Sequence, residues 1–465
     1  MKRAILVVLA ACGDPSVIEI VPTLELPTNE DADALPELTQ IRIAVEGTTL
    51  DEVFDRGEDI ILGDVPLGDK LVLRLDGFTD GQGVAVGRSC PFSLAAGNRP
   101  SPRIYFSQVV RTGLLAQQAQ ARDGGLAVTL ADDSVLLLGG EASSTIERYD
   151  PRTATLDEVP HEPFDGRTGA AIAIYEDGRA AIIGGLVAGV PVTEALLISP
   201  AGVIEQVADP AKAVDRSNLT ATSLADGQIL IIGGRDALGA ASDKIVRMRT
   251  KANDLITLEL VNSTALTRAR ERHVVTPLGD GGARLLITGG NDALGPVATS
   301  ELYRTSSDDA LPLESPKFDL RFPRTGHRAA LLPDESVVII GGVDAAGDPV
   351  RKIERLSLID GVVPVIQDLP TDAPALDFSL LTLPDGSILM AGGRARAGAP
   401  AQNDVFLILF DAATDNVQLA PRDELSIPRV APQLSLLCDG TVLISGGTDQ
   451  PAASERFNPN VRPKL

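Results

Sequence analysis

Six arginines stand seventeen residues before the first glycine of a recurring glycine pair, and no other set in the chain is better spaced for shared chemistry. They are Arg122, Arg167, Arg216, Arg272, Arg324 and Arg429, while the same position of the sixth repeat holds Ala375. A guanidinium carries five N–H donors in a fixed fork and keeps its charge, so arginines in register can serve two ends. They can hold loop carbonyls and tie neighbouring repeats together, or form a ring of donors facing an anionic ligand. The structural role is the expectation, with the anion ring as the alternative. The histidines offer less. His273 and His327 fall one and three residues after their arginines, which reads as a place in the repeat, and His161 lies in a loop beside Glu162. No second ligand stands at metal-binding spacing from any of them, so neither a metal site nor a cofactor is expected. The acidic loop from Asp344 to Asp348 lacks a calcium-loop spacing.

Short strands must position these residues. The glycine pairs are Gly139-Gly140, Gly184-Gly185, Gly233-Gly234, Gly289-Gly290, Gly341-Gly342, Gly392-Gly393 and Gly446-Gly447, 45 to 56 residues apart. Seven residues before each pair stand Asp132, Asp177, Asp226, Asp334, Asp385 and Asp439, with Gly282 in the fourth repeat. Apolar runs on either side of that residue predict a hairpin, since Asp-Gly tolerates positive φ. A loop of variable length follows each glycine pair, then a third strand that often opens with a hydroxyl and an acid, as in STIERYD at 144–150. A fourth apolar run completes the unit. Four strands per repeat, seven times over, predict a seven-bladed β-propeller across residues 109–465. The glycines then serve the backbone, allowing positive φ and close blade packing. Arginines, glycine pairs and variable loops share one face of such a ring, and the Asp-Gly turns occupy the other. Variation gathered on one rim is how repeat scaffolds carry binding. The last repeat stops after its third strand, so the strand near Ile104 to Val110 is expected to close the ring as the outer strand of blade seven.

An apolar strand ending in a glycine pair, followed by an aromatic on the third strand, resembles the kelch repeat over roughly residues 109–465. The outer-strand tryptophan of that repeat is missing, and the neighbouring tyrosine survives as Tyr149, Tyr303 and Phe457. The resemblance implies the kelch-type propeller fold. It also brings in enzymes, because kelch-type propellers include galactose oxidase and a sialic-acid mutarotase. An oxidase-like copper site needs a Tyr–Cys cross-link, a second tyrosine and two histidines converging. Here Tyr105, Tyr149, Tyr175 and Tyr303 are scattered, and no cysteine lies near a predicted rim with a histidine. The Ser-x-Asp-x-Gly-x-x-Trp boxes of sialidase propellers are absent. No catalytic residue is therefore assigned. The expectation is a non-catalytic binding scaffold working through its loop rim, with a mutarotase-like or galactose-oxidase-like carbohydrate enzyme as the alternative.

The N-terminal flank reads as an address. Lys2-Arg3, the apolar run Ala4 to Ala11, and Leu9-Ala10-Ala11-Cys12 resemble a bacterial lipobox, with residues 1–11 removed and Cys12 acylated. Gly13 after the cysteine points to the outer membrane of a Gram-negative envelope. Residues 12–38, rich in Pro, Asp and Glu, read as a flexible tether. Short alternating runs over 39–108 predict a small β-sandwich, which makes the whole chain all-β. A net charge of −23 argues against nucleic acid and anionic lipid as partners, leaving membrane contact to the N-terminal lipid. The partner expected is an envelope or extracellular protein. A glycan is less favoured, since a chain with no Trp has little to stack on a sugar face. The protein itself is expected to be a monomer. Of the three cysteines, Cys90 and Cys438 remain once Cys12 is acylated. Two buried free thiols are the expectation, with a bond between them, which export permits, as the alternative.

Overall fold

The four residues immediately before each glycine pair, such as Val135–Leu138, Ile229–Ile232 and Val337–Ile340, are buried without alternation. A strand reads so only when both of its faces are packed against other sheets. Seven sheets in the computed structural model meet that requirement by standing face to face around a central axis. It describes residue 20 and residues 22–459, interrupted by short stretches of which 57–66 and 313–317 are examples.

Blade five shows the pattern. Arg328–Leu331, Val337–Ile340, Glu354–Ser357 and Gly361–Pro364 pair antiparallel in chain order from the axis outward. The aspartate at each hairpin caps its own turn: Asp132, Asp334, Asp385 and Asp439 each accept the backbone N–H two residues on, at 2.9 to 3.1 Å. Blades one to six follow consecutively. The seventh is assembled from Gln433–Leu436, Val442–Ser445, Ala452–Asn458 and then Arg111–Ala119 from the other end of the chain. Its innermost strand lies against that of blade one, Leu126–Thr129, and the ring is closed.

Closure uses a different strand from the one expected. Arg103–Gln108 sits inside the N-terminal sheet, between Thr23–Glu25 and Gln82–Ser89. Its consecutive residues Ile104, Tyr105 and Phe106 are all buried, so both of its faces are committed to cores. The chain turns at Val110, held at φ 56°, and the next strand supplies the outer edge of blade seven.

The N-terminal domain is a six-stranded sheet faced by the ribbon Gly68–Leu71 with Phe92–Leu94. Its core gathers Ile20, Leu38, Ile43, Val45, Leu75 and Phe106. One expectation changes here. Part of the supposed tether is built into the fold, with Thr23–Glu25 running parallel to Arg103–Gln108 and Asn29 bonded to the backbone of Thr112 and Leu114. The apolar side chains Leu24 and Leu26, set among the prolines and acids, carry that docking. The strand expected at Ile60 to Leu62, the signal segment and Cys12 lie outside the described residues.

Cys90 and Cys438 are joined as a disulfide, their Cα atoms 4.9 Å apart. Beside it Asn458 donates to Val86 O at 2.9 Å, and Arg456 is wholly buried over the Tyr105 ring, 4.2 Å from its centroid, ion-paired with Asp439 and Glu25. The small domain is thereby fixed to blade seven on the side of the Asp-Gly turns, which is the side opposite the loop rim.

Candidate functional site

The rim is built on the repeated arginine and glycine pair. The first glycine of each pair has φ between 53° and 68°. Its carbonyl accepts the guanidinium of its own blade: Arg122 on Gly139 at 3.0 Å, Arg324 on Gly341 at 3.1 Å, Arg429 on Gly446 at 2.7 Å, and Arg167 on Gly184 at 3.4 Å. The second glycine donates its N–H to the carbonyl at the arginine position of the following blade. Gly185 reaches Arg216, Gly290 reaches Arg324, Gly342 reaches Ala375 and Gly393 reaches Arg429, while Gly447 reaches Arg122 across the ring junction at 3.0 Å. Side chain and backbone at one position therefore join two blades.

Strand three supplies the counter-charges. Glu147, Glu354 and Glu455 pair with Arg122, Arg324 and Arg429 at 2.6 to 3.0 Å. Burial drives the carboxyls of Glu354 and Glu455 upward, while their arginines pull the other way. Arg216 has no such glutamate, because Val246 takes that position; burial pushes its guanidinium down to about 10.

Blade four corrects the sequence reading. The buried arginine there is Arg270, bonded to Gly289 O at 2.9 Å and ion-paired with Glu301. It stands nineteen residues before the glycine pair, since that hairpin is two residues longer, and a fixed offset of seventeen selects Arg272 instead. Arg272 is exposed. It belongs to a second ring that sequence reasoning missed. Two residues after each arginine position the backbone is left-handed: Gly124, Gly169, Asn218, Arg272, Gly326, Asp377 and Ala431, with φ from 47° to 67°. These corners bond successively around the channel mouth, Asn218 N to Gly169 O, Arg272 N to Asn218 O, Gly326 N to Arg272 O, and Ala431 N to Asp377 O. Glycine or asparagine suits such a corner; an arginine is costly there, by about 1–2 kcal/mol. Residues kept in that region cluster at functional sites.

Arg272 opens into a cavity of about 460 Å³ formed by the rim loops of blades three, four and five. The bridged pairs Glu271–Asn291 and Thr325–Val343 contribute, together with Arg235, Pro296 and residues 344–347. Glu271 is buried and held by Arg235 and by Asn218 Nδ2 at 3.2 Å. The Arg272 guanidinium has no hydrogen-bond or ion-pair partner among the described residues. Its guanidinium lies over Gly326, where a Cβ would stand 3.0 Å from Nη2. Arg328 lies nearby on the innermost strand of blade five. Burial lowers its pKa, Asp377 opposes that shift and Arg272 adds to it.

No family model and no curated protein matches the chain. Solved structures do. A fungal alcohol oxidase of the AA5 family, in complex with copper, is similar at a TM-score of 0.54 and 15% identity, over 76% of this chain and 77% of that one. YjhT aligns at a TM-score of 0.49 and 13% identity, over 66% of this chain and 99% of its own. The chain has the kelch-type propeller fold. That an alcohol oxidase shares this fold overturns the expectation that the protein is not an enzyme, which rested only on finding no catalytic set in the sequence.

The residues of this kelch-type propeller do not fit a copper site of the oxidase kind. Cys438 is bonded to Cys90, Tyr105 and Tyr149 are buried at the domain junction, and no group of three His, Cys, Asp or Glu side chains converges among the described residues. His161 packs edge-on to Phe164. His273 and His327 are buried between blades, each three residues after its own buried arginine and against the first glycine of the preceding pair. Their Nε2 atoms lie 3.2 and 3.1 Å from the hydroxyls of Thr220 and Thr288.

Burial, then the positive charges of Arg270 and Arg216, push His273 down to about 3, and His327 is likewise held well below its ordinary value. Both stay neutral in the fold, whereas the unfolded chain protonates them below about pH 6.5. Their contribution to stability is complete above that pH and is lost as pH falls toward the folded values. Phe378 occupies the same position over Gly341 without a titrating group. Replacing both histidines by phenylalanine should flatten the fall in unfolding midpoint between pH 6.5 and 4. An unchanged slope would refute the assignment.

Proposed function

We propose that this protein is a cell-envelope lipoprotein, anchored through Cys12, that binds its ligand at the loop rim of the propeller, in the cavity between blades three and five. One observation carries the reading: an exposed arginine without a partner, at a left-handed corner, opening into a 460 Å³ cavity. The domain arrangement supports it. The N-terminal domain sits on the Asp-Gly side, through Cys90 and Cys438, so a lipid at Cys12 leaves the rim facing away from the membrane. The partner proposed is an envelope or extracellular protein, which would present an anionic group to Arg272.

A second reading is catalysis on a carbohydrate in the same cavity. Glu271, 2% exposed and held between Arg235 and Asn218, is a carboxylate fixed in place for proton transfer. Capture from envelope extracts by the full chain tests the first reading. A species retained by the wild type and lost with Arg272→Gln supports rim binding, whereas one retained equally by both overturns it. Glu271→Gln separates the two readings, since turnover that it abolishes while capture persists would identify an enzyme.

A further inference from the structure

The cavity is lined by both charged and aliphatic residues. Among the charged residues Arg235 is already neutralised by Glu271, and Asp344 directs Oδ1 at the backbone N–H groups of Ala346 and Asp348, at 2.9 and 3.0 Å. Of the two lining arginines, Arg272 alone has no counter-charge in contact. The aliphatic lining residues are Pro296, Val343, Ala345 and Ala346, and beside the lining residue Gly295 stands Leu294, 89% exposed on the tip of the blade-four loop. A leucine in that place has no role in the propeller core, and blade three presents Leu238 on its own Asp-Ala-Leu-Gly tip in the same way.

The lining decides between ligand classes. No aromatic ring faces the cavity, so a pyranose has nothing to stack on. A phosphate dianion needs several donors, yet the backbone N–H groups of Asn218, Arg272 and Gly326 at the mouth are already bonded from blade to blade. One free guanidinium fork beside an aliphatic wall matches a planar monoanion with a hydrocarbon body. We propose that the cavity takes an aliphatic carboxylate, its carboxylate on Arg272 and its chain against Pro296, Val343, Ala345 and Ala346. The proposal rests on the reading of the rim cavity as the binding site and names its ligand class.

Calorimetric titration of the full chain with octanoate, octylamine, glucose and inorganic phosphate tests it. Octanoate is expected to bind while the other three do not. Arg272→Gln should weaken octanoate at least tenfold, and Val343→Ser should weaken it several-fold. Phosphate or octylamine binding as tightly as octanoate would overturn the proposal, as would octanoate binding untouched by Arg272→Gln. If Arg272→Gln abolishes capture of an envelope species while octanoate fails to bind the wild type, the ligand class is wrong and the rim site stands. If capture is also unaffected, both fall.

Discussion

Removing the guanidinium of Arg324 alone, as Arg324→Ala, should lower the stability of the propeller by about 3–5 kcal/mol, because Glu354 is left charged and buried. Arg324 and Glu354 are both fully enclosed, and burial already raises the carboxyl against the pull of the arginine. The protein contains its own control. In blade six the arginine is Ala375, the residue facing Met390 in place of the glutamate is Phe406, and the two share one apolar core with Phe378. Where the cation is lost the anion is lost with it. Blade two keeps Arg167 opposite Leu196 and takes a carboxylate from Glu194, which is part-exposed. The double replacement Arg324→Ala with Glu354→Phe should therefore recover most of the loss in a urea denaturation series. A single variant costing under about 1 kcal/mol, or a double variant no better than the single, would remove the desolvation argument.

The blade was legible because its two hairpin constraints have fixed spacing. An aspartate that caps its own turn and a glycine pair that must be left-handed recur at constant distance wherever the hairpin has constant length. Blade four broke the count by two residues, and Arg272 took the place of Arg270 in the sequence reading. The acid on strand three was visible in STIERYD and ASERFNP, but its pairing with an arginine some 25 residues earlier, as Glu147 with Arg122, needs the sheet register. The rim corners were half legible. Gly124, Gly169 and Gly326 mark them openly, while Asn218, Arg272 and Asp377 hold the same φ with residues that do not announce it. The pocket follows from that second ring, so it too stayed hidden. The docked segment at Thr23–Glu25 was masked by its acidic and proline-rich setting, although Leu24 and Leu26 carry the apolar side that packs.

Replacing Arg111–Ala119 by a Gly-Ser segment of equal length should leave aggregated or domain-swapped protein in place of a monomer. This strand pairs along Ala452–Asn458 and buries Leu115 and Ala119 beside Val135 and Leu137 of blade one. Each ladder hydrogen bond contributes about 1 kcal/mol and each buried leucine about 2, so the loss is comparable with the ~5–15 kcal/mol net stability of an ordinary domain. An unpaired outer edge on blade seven would also offer itself to another chain. The disulfide does not rescue it, because Cys438 is anchored on the turn beside the second strand and leaves the edge of the third open. Grafting the native 111–119 segment after residue 459 of the Gly-Ser variant should restore a monomer by light scattering, with a cooperative melt, since the strand then follows its partner directly. A monomeric Gly-Ser variant with an unchanged midpoint would show that the ring holds without this strand, and a graft that failed while the wild type folded would show that closure depends on the link to the N-terminal domain.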